Sequence, residues 1–209
     1  CEGELKYAAQ LDDYAFYALG LLELYYADFD PAHILKAEEL AENIRERFAD
    51  EEGGYFRTAI DAEKLLIRPK EIFDGAMPSG NGAALVLFDR FFRLTGKELW
   101  RAAAEAQRSF ISRSAGQYPA GCCYALTAML TSGASRELVC VTPEETLPEA
   151  LKAVLLRYAP ELTVLVKTPA NAAALAAAAP YTADMQPKDG KPAYYVCTGG
   201  SCALPVDMG

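Results

Sequence analysis

The polar segment at residues 68–84 holds the residues of this chain that are best suited to chemistry. Two carboxylates, Glu71 and Asp74, and two cations, Arg68 and Lys70, stand there before a Pro-Ser-Gly-Asn turn. General acid–base catalysis needs two carboxylates in different environments, and glycoside hydrolysis needs them roughly 5–10 Å apart across the sugar. Glu71 and Asp74 are therefore candidate catalytic residues. An equally good interpretation is that they pair with Arg68 and Lys70 and hold the loop.

A second acidic pair, Asp12 and Asp13, stands where an apolar segment begins and is expected to open a helix. A carboxylate at that position either caps free helix N–H groups or faces a ligand. We expect one of the two to cap. We assign Asp13 as the catalytic carboxylate that faces the pocket, opposite Glu71 or Asp74. Asp12 is expected to bind substrate if it does not cap.

The remaining candidate substrate-binding residues are one amide and three aromatic residues near the same place, namely Asn81, Tyr14, Tyr55 and Tyr118. Aromatic faces can stack on the apolar C–H side of a sugar, and an amide can both donate to and accept from hydroxyl groups. The alternatives are structural. Ser79 and Asn81 also suit a helix cap, and some of the tyrosines are expected to serve packing.

Charge and cysteine content exclude several functions. The net charge of −9 argues against nucleic acid and against anionic membrane surfaces. No apolar run reaches the roughly 18–20 residues of a membrane span. Six cysteines are few for a disulfide scaffold, so a cytoplasmic location is expected. Cys197 and Cys202 could form a disulfide or half of a metal site; we expect a structural pair, and no metal or cofactor.

Helical segments of two kinds alternate along the first part of the chain. Segments 11–27, 79–94 and 118–134 are apolar nearly all round, which is typical of helices buried on every side. Segments 31–48 and 97–114 each have one apolar stripe and a charged remainder, as surface helices do. The order is therefore buried, surface, buried, surface, buried.

This order predicts helical hairpins in two concentric layers, with every inner helix starting at the same rim. Free N–H groups and positive dipole ends would gather there and favour anionic or hydroxyl-rich ligands. We therefore predict a mainly α fold, with a partial (α/α) toroid of five helices at residues 1–134. Because five helices cannot close a ring, we expect self-association through exposed apolar inner-helix surface. An open array of five helices is the alternative.

Residues 135–209 have a different pattern. Strands are predicted at 137–142, 162–167 and 192–197, with helices at 146–159 and 171–179. Strand–helix–strand order indicates a small parallel α/β (βαβ) unit with right-handed crossovers, which ends in the Cys-x4-Cys segment. No Gly-rich phosphate loop follows the first strand, so nucleotide binding is not expected.

Five motifs occur in a fixed order: Leu-Asp-Asp-Tyr-Ala-Phe at 11–16, Glu-Gly-Gly-Tyr-Phe at 52–56, Arg-Pro-Lys-Glu at 68–71, Asp-Gly-Ala-Met-Pro-Ser-Gly-Asn at 74–81, and Tyr-Val-Cys-x4-Cys-x2-Pro at 195–205. Together they resemble the C-terminal part of the YyaL-type, thioredoxin-domain-containing proteins related to spermatogenesis-associated protein 20. The resemblance implies an N-terminal thioredoxin-like domain in the full-length protein. It also implies an (α/α)6 toroid similar to six-hairpin glycosidases and N-acylglucosamine 2-epimerases.

Two functional hypotheses follow. The first is carbohydrate binding or processing, with Asp13, Glu71 and Asp74 as acid/base residues and a carbohydrate as ligand. The second is a non-catalytic scaffold or interaction domain that serves the thioredoxin-like redox domain of the full-length protein. The scarcity of histidine and the Cys-x4-Cys segment favour the second hypothesis.

Overall fold

The computed structural model describes residues 7–63, 66–132, 136–198 and 201–206. Within these ranges the chain is mainly helical and has a small α/β part, as the sequence pattern predicts. Its elements are α1 (Leu11–Asp28), α2 (Pro31–Arg47), α3 (Gly80–Thr95), α4 (Glu98–Ala115), α5 (Cys123–Ser132), β1 (Arg136–Val141), α6 (Glu149–Leu155), β2 (Leu162–Lys167), α7 (Ala172–Ala178), β3 (Ala193–Thr198) and β4 (Ser201–Cys202).

The first four helices form two hairpins whose ends are marked by local signals in the sequence. Asp30 caps α2 by accepting a hydrogen bond from the Ala32 N–H at 2.9 Å, and Pro31 occupies the first turn. Gly96 ends α3 in the left-handed conformation with φ of 64°. α1 packs on α2, α3 packs on α4, and α3 lies between α1 and α5.

Burial differs among the three helices that were expected to be buried on every side. Most of α3 is buried, because α1, α5 and α4 surround it. α1 leaves Tyr17 and Leu24 exposed at 61% and 50%. For α5 the expectation is wrong, because Ala125 is its buried residue and Leu130 is 83% exposed. α5 follows a 3-10 turn at Pro119–Cys122 and packs on α3 and on the last turns of α4, which leaves its other flank facing solvent.

The sheet has the strand order β2-β1-β3-β4. β1 and β2 are parallel and α6 connects them, as the strand–helix–strand pattern predicts. β3 is antiparallel to β1, which corrects the expectation of a wholly parallel unit. α7, which lies between β2 and β3 in the chain, packs against α2 of the helical part. α6 is also shorter than predicted, ending at Leu155.

The helical part and the sheet share one apolar core that includes Trp100 and Leu22 as well as Val139 and Leu165. Hydrogen bonds also cross this junction. The Tyr25 hydroxyl accepts from the Val166 N–H at 3.4 Å, and the Asn171 amide donates to the Phe29 carbonyl at 3.4 Å. No helix in the described ranges is long and apolar enough to cross a membrane.

Candidate functional site

The starts of α1, α3 and α5 lie together, where the helix pattern predicts a rim. The Asp74 carboxylate accepts from the Ser79 N–H at 3.0 Å and from the Tyr124 N–H at 2.9 Å, so it joins the starts of α3 and α5. Asp12 lies against the start of α3, because a Cβ built on Gly80 would stand 2.1 Å from its Oδ1. The Asp74 carboxylate therefore holds the starts of α3 and α5 together, and Asp12 places the start of α1 against the start of α3.

Asn81 is fully buried, and all four hydrogen-bonding positions of its amide are used inside the protein. Its Oδ1 accepts from the Tyr55 N–H and from Gln107 Nε2, both at 2.9 Å. Its Nδ2 donates to the Tyr55 and Glu71 carbonyls at 2.9 and 2.8 Å. An amide has two acceptor and two donor positions, so nothing remains for a ligand. Of its two expected roles, Asn81 serves the structural one.

Tyr55 also belongs to the core. Its ring packs on Phe88 with centroids 5.6 Å apart, and the residue is 9% exposed. Burial raises the pKa of its hydroxyl to about 12. Its expected role in substrate binding is therefore replaced by packing and by the backbone contacts with Asn81.

The two aspartates at the start of α1 have the reverse of the roles expected from the sequence. The Asp13 carboxylate accepts from the Gln10 N–H at 2.8 Å and completes a capping box with Gln10. A carboxylate at the third helical position can reach back to the N-cap N–H, whereas one at the second position cannot. Asp13 is therefore the cap, and Asp12 faces the rim. The three-residue spacing of Gln10 and Asp13 was the signal in the sequence that indicated this.

Asp12 stands in a small group of charges. Burial raises its pKa above the usual 3.8, the charge of Arg57 opposes the rise, and the carboxylates of Glu71 and Asp13 add to it. Glu71 forms an ion pair with Arg57 Nη1 at 3.1 Å. Arg57 also donates from Nε to Gln10 Oε1 at 2.7 Å. Sequence reasoning missed Arg57, because no motif marked it.

The cations of the polar segment do not pair with its carboxylates, which corrects the ion-pair interpretation. Lys70 pairs with Asp50 and donates to the Gly53 carbonyl at 3.0 Å. Arg68 lies over the Phe56 ring, 4.1 Å from its centroid, and donates to a backbone carbonyl at 2.6 Å. Both cations fasten the loop to residues upstream of it.

An open hollow of about 540 Å³ lies beside the first turns of α1. It brings together three of the expected site residues, Asp12, Asp13 and Tyr14. The other lining residues are Ala9, Phe16, Tyr17, Leu40 and Met77. Tyr14 is held in place, since its hydroxyl accepts from Arg47 Nη1 at 2.5 Å. The hollow is largely apolar, with its carboxylates at one side.

The other expected residues stand outside this hollow. Asp74 holds the helix starts described above, and Glu71 adjoins the hollow through its pair with Arg57. Tyr118 is 57% exposed and packs edge-on against Phe73, with centroids 5.8 Å apart. The expected set of Asp13, Glu71 and Asp74 therefore becomes a group of Asp12, Glu71 and Arg57, with Asp13 and Asp74 as caps.

The Cys197–Cys202 pair is a disulfide that joins opposed residues of β3 and β4. The cysteines at 122, 123 and 140 are free, and of the adjacent pair Cys122 is buried while Cys123 is exposed. In the part of the chain that the structure describes, no group of three or more His, Cys, Asp or Glu side chains is placed to hold a metal ion.

Comparisons with known proteins give similarity to one kind of protein. No family model matches the chain. The chain is 25% identical over 205 residues to human spermatogenesis-associated protein 20, covering 94% of this chain and 26% of the relative. The rat and mouse proteins of the same name are each 24% identical over 205 residues, with 94% of this chain and 26% and 25% of those relatives covered. The chain thus spans about a quarter of the length of these curated relatives.

Proposed function

We propose that this chain is a non-catalytic helical scaffold, part of a longer protein in which it positions a thioredoxin-like redox domain. The proposal rests on one observation, the hydrogen bonding of the residues at the helix starts. All four positions of the Asn81 amide and both oxygens of Asp74 accept or donate within the protein. The most distinctive motif of the chain therefore holds helix starts together, and it leaves few hydrogen-bonding groups free for a substrate.

Similarity supports the partner in this proposal. The chain covers about a quarter of spermatogenesis-associated protein 20, and its motifs resemble thioredoxin-domain-containing proteins. The layer of α1, α3 and α5 suits a segment of an (α/α) toroid whose other helices lie in the remainder of such a protein. The exposed apolar residues Tyr17, Leu24 and Leu130 are the surface that the redox domain would cover in such a protein, and that a second copy of the chain would cover in its absence.

The test compares the chain alone with a longer form that includes the thioredoxin-like domain. We expect the isolated chain to bind the separately produced redox domain and the longer form to turn over no glycan. As a surface control, Leu24→Ser and Leu130→Ser should weaken that binding while Lys36→Ser, on the exposed face of α2, should not. Glycan turnover by the longer form, or no association with the redox domain, overturns the proposal. Sedimentation of the isolated chain measures the self-association expected of the same surface.

A second candidate function, carbohydrate processing, has one observation in its favour. Asp12 has a raised pKa chiefly from burial, and Glu71, which is half exposed, stands close enough to contribute to it. Two carboxylates in unlike environments are what acid–base catalysis requires. In this case Asp12 is the acid, Glu71 is the base, and Asp12→Asn abolishes turnover in the longer form. Asp61→Asn, at a surface ion pair with Arg47, is the matched control and retains turnover.

A further inference from the structure

A second hollow, of about 450 Å³, lies where α1, α3 and α5 face the start of β2. It is distinct from the hollow at the rim. Asp12 at the rim and Glu23 in this hollow are both on α1, and at about 1.5 Å per residue they stand roughly 16 Å apart along the helix. A volume of this size falls in the range of small-molecule sites, which is about 300–1,000 Å³.

Rigid helix faces form two walls of this hollow. α3 contributes Asp89, Arg90 and Arg93, and α5 contributes Tyr124 and Thr127. In both helices the lining residues follow one another at three- or four-residue steps or lie side by side on the same face. Residues three, four and seven apart share one face of a helix, so each helix presents a continuous strip. Sites built on helices hold their polar groups more precisely than sites built on loops.

The charges that line the hollow are paired with one another. Arg90 donates to Glu23 at 2.6 Å, joining α3 to α1. Arg93 pairs with Asp89 at 2.5 Å, and both side chains are largely buried, with 8% and 13% of their surfaces exposed. Arg108 reaches the second Asp89 oxygen at 3.2 Å from outside the lining. The charges that line the hollow therefore nearly cancel, and the paired side chains still offer hydrogen-bond donors and acceptors to a ligand.

Aromatic and hydroxyl groups complete the lining. Arg90 lies over the Tyr26 ring, 5.6 Å from its centroid. Tyr124 of α5 lines the same hollow. Thr127 and Thr131 add two hydroxyl groups from the next turns of α5, each donating to a backbone carbonyl of its own helix and keeping its lone pairs as acceptors.

This arrangement selects against charged ligands. An anion that took Arg93 from Asp89, or a cation that took Asp89 from Arg93, would leave the other member of a largely buried pair uncompensated, so such exchanges are disfavoured. A neutral molecule with several hydroxyl groups can bond to the outer lone pairs and N–H groups without breaking either pair, and its C–H face can lie against a tyrosine ring.

We propose that the hollow between α1, α3, α5 and the start of β2 binds a neutral, polyhydroxylated ring compound of about monosaccharide size. The inference does not depend on the scaffold role, because it concerns different residues from those at the rim. It also does not require catalysis.

The experiment titrates the intact 209-residue chain with D-glucose and myo-inositol as neutral probes and inorganic phosphate as the anionic probe, followed by NMR and calorimetry. We expect saturable binding of at least one neutral probe and none of phosphate. Tyr124→Phe removes one hydroxyl without changing the ring and should weaken binding roughly two- to tenfold, the value of one hydrogen bond. Ala128→Phe fills the hollow and should abolish binding. Tyr17→Phe, which removes the same hydroxyl at the rim, is the matched control and should bind as the wild type does.

Three outcomes overturn the inference. These are the absence of saturable binding by either neutral probe, phosphate binding in preference to both, and neutral-probe binding that Tyr124→Phe and Ala128→Phe leave unchanged. If Tyr17→Phe alone weakens binding, the ligand sits at the rim, which contradicts this site and supports carbohydrate binding there. Circular dichroism of each variant establishes that the fold is intact, and the conservative Tyr124→Phe keeps the test decisive should Ala128→Phe fail to fold.

Discussion

Asn81 and Tyr55 exchange two hydrogen bonds: the Tyr55 N–H donates to Asn81 Oδ1, and Asn81 Nδ2 donates to the Tyr55 carbonyl, both at 2.9 Å. The side-chain amide thus pairs with a backbone segment as a neighbouring strand would. With further bonds to Glu71 and Gln107, it ties the loop before α3, the segment after α2 and helix α4 to one buried point.

Asn81→Ala is expected to destabilise the fold strongly. The change leaves the Tyr55 N–H and carbonyl, the Glu71 carbonyl and the Gln107 amide without this partner in a buried place. Each such group costs about 1–3 kcal/mol, so we expect a loss of at least about 3 kcal/mol in the free energy of unfolding, measured by urea titration. Asn43→Ala, on the surface of α2, is the control and should change stability by less than about 0.5 kcal/mol. Equal effects of the two changes would contradict the role given to Asn81.

Asp74→Asn is expected to weaken the junction of α3 and α5. An amide keeps one acceptor oxygen, and its NH₂ group faces a backbone N–H that the carboxylate had accepted from. We expect a loss of about 1–2 kcal/mol, the usual range for an N-cap, measured by urea unfolding. Hydrogen exchange at the Ser79 and Tyr124 amides should accelerate more than at other helix starts. Unchanged exchange at both amides would show that Asp74 does not hold them.

Asp12→Asn is expected to stabilise the protein near neutral pH. Because the pKa of Asp12 is raised in the folded state, chiefly by burial, the folded chain holds a proton that the unfolded chain releases near pH 3.8. The stability contributed by that proton is present below this pH and is lost as the pH rises through the folded pKa. The variant stays neutral, so its stability relative to wild type should increase with pH above 3.8, as measured by urea unfolding at several pH values.

Asp61→Asn is the control of opposite sign for that experiment. A hydrogen bond from Arg47 is the main cause that lowers the pKa of Asp61 below its usual 3.8. Its contribution is present above that value and is lost as the pH falls through the folded pKa. The variant should therefore be less stable than wild type at neutral pH and equal to it in acid. If both variants change with pH in the same direction, the environment assigned to Asp12 is wrong.

Reduction of the Cys197–Cys202 disulfide is expected to lower stability modestly. The bridge closes a short loop, with a sequence separation of 5, and a loop this small contributes about 2 kcal/mol in the chain-entropy model. Urea unfolding with and without a reductant measures the difference. The double variant Cys197→Ser/Cys202→Ser should lose the sensitivity to reductant, whereas Cys123→Ser, at an exposed free thiol, should retain it. If the reductant leaves the stability of the wild type unchanged, this expectation is contradicted.

Local signals in the sequence were sufficient to place most of the elements. Asp30 with Pro31, Ser79 and Gly96 mark helix ends through contacts or conformations within a few residues, and the structure has helices that end there. Alternating helix character also indicated that the helix starts lie together. The parallel pairing of β1 and β2 followed from the helix between them.

The direction of β3 and the exposure of α5 could not be read in the same way. β3 pairs with β1, which is distant in the chain, and the direction of such a long-range pairing is decided by tertiary packing. The apolar composition of α5 indicates a helix that can be buried, but burial requires neighbours, and α3 and α4 cover only part of its surface.

The sequence by itself indicated that the starts of α1, α3 and α5 lie together, and the tertiary structure alone decided how the residues there are used. The Asp74 carboxylate meets a helix start 50 residues away, and Asn81 meets its backbone partner 26 residues away. Hydrogen bonds at that separation depend on how the helices pack, and a carboxylate or amide shows no difference in sequence between a cap and a catalytic group. The packing of the helices therefore gives Asp74 and Asn81 structural roles, and it places Asp12 and Glu71 beside Arg57.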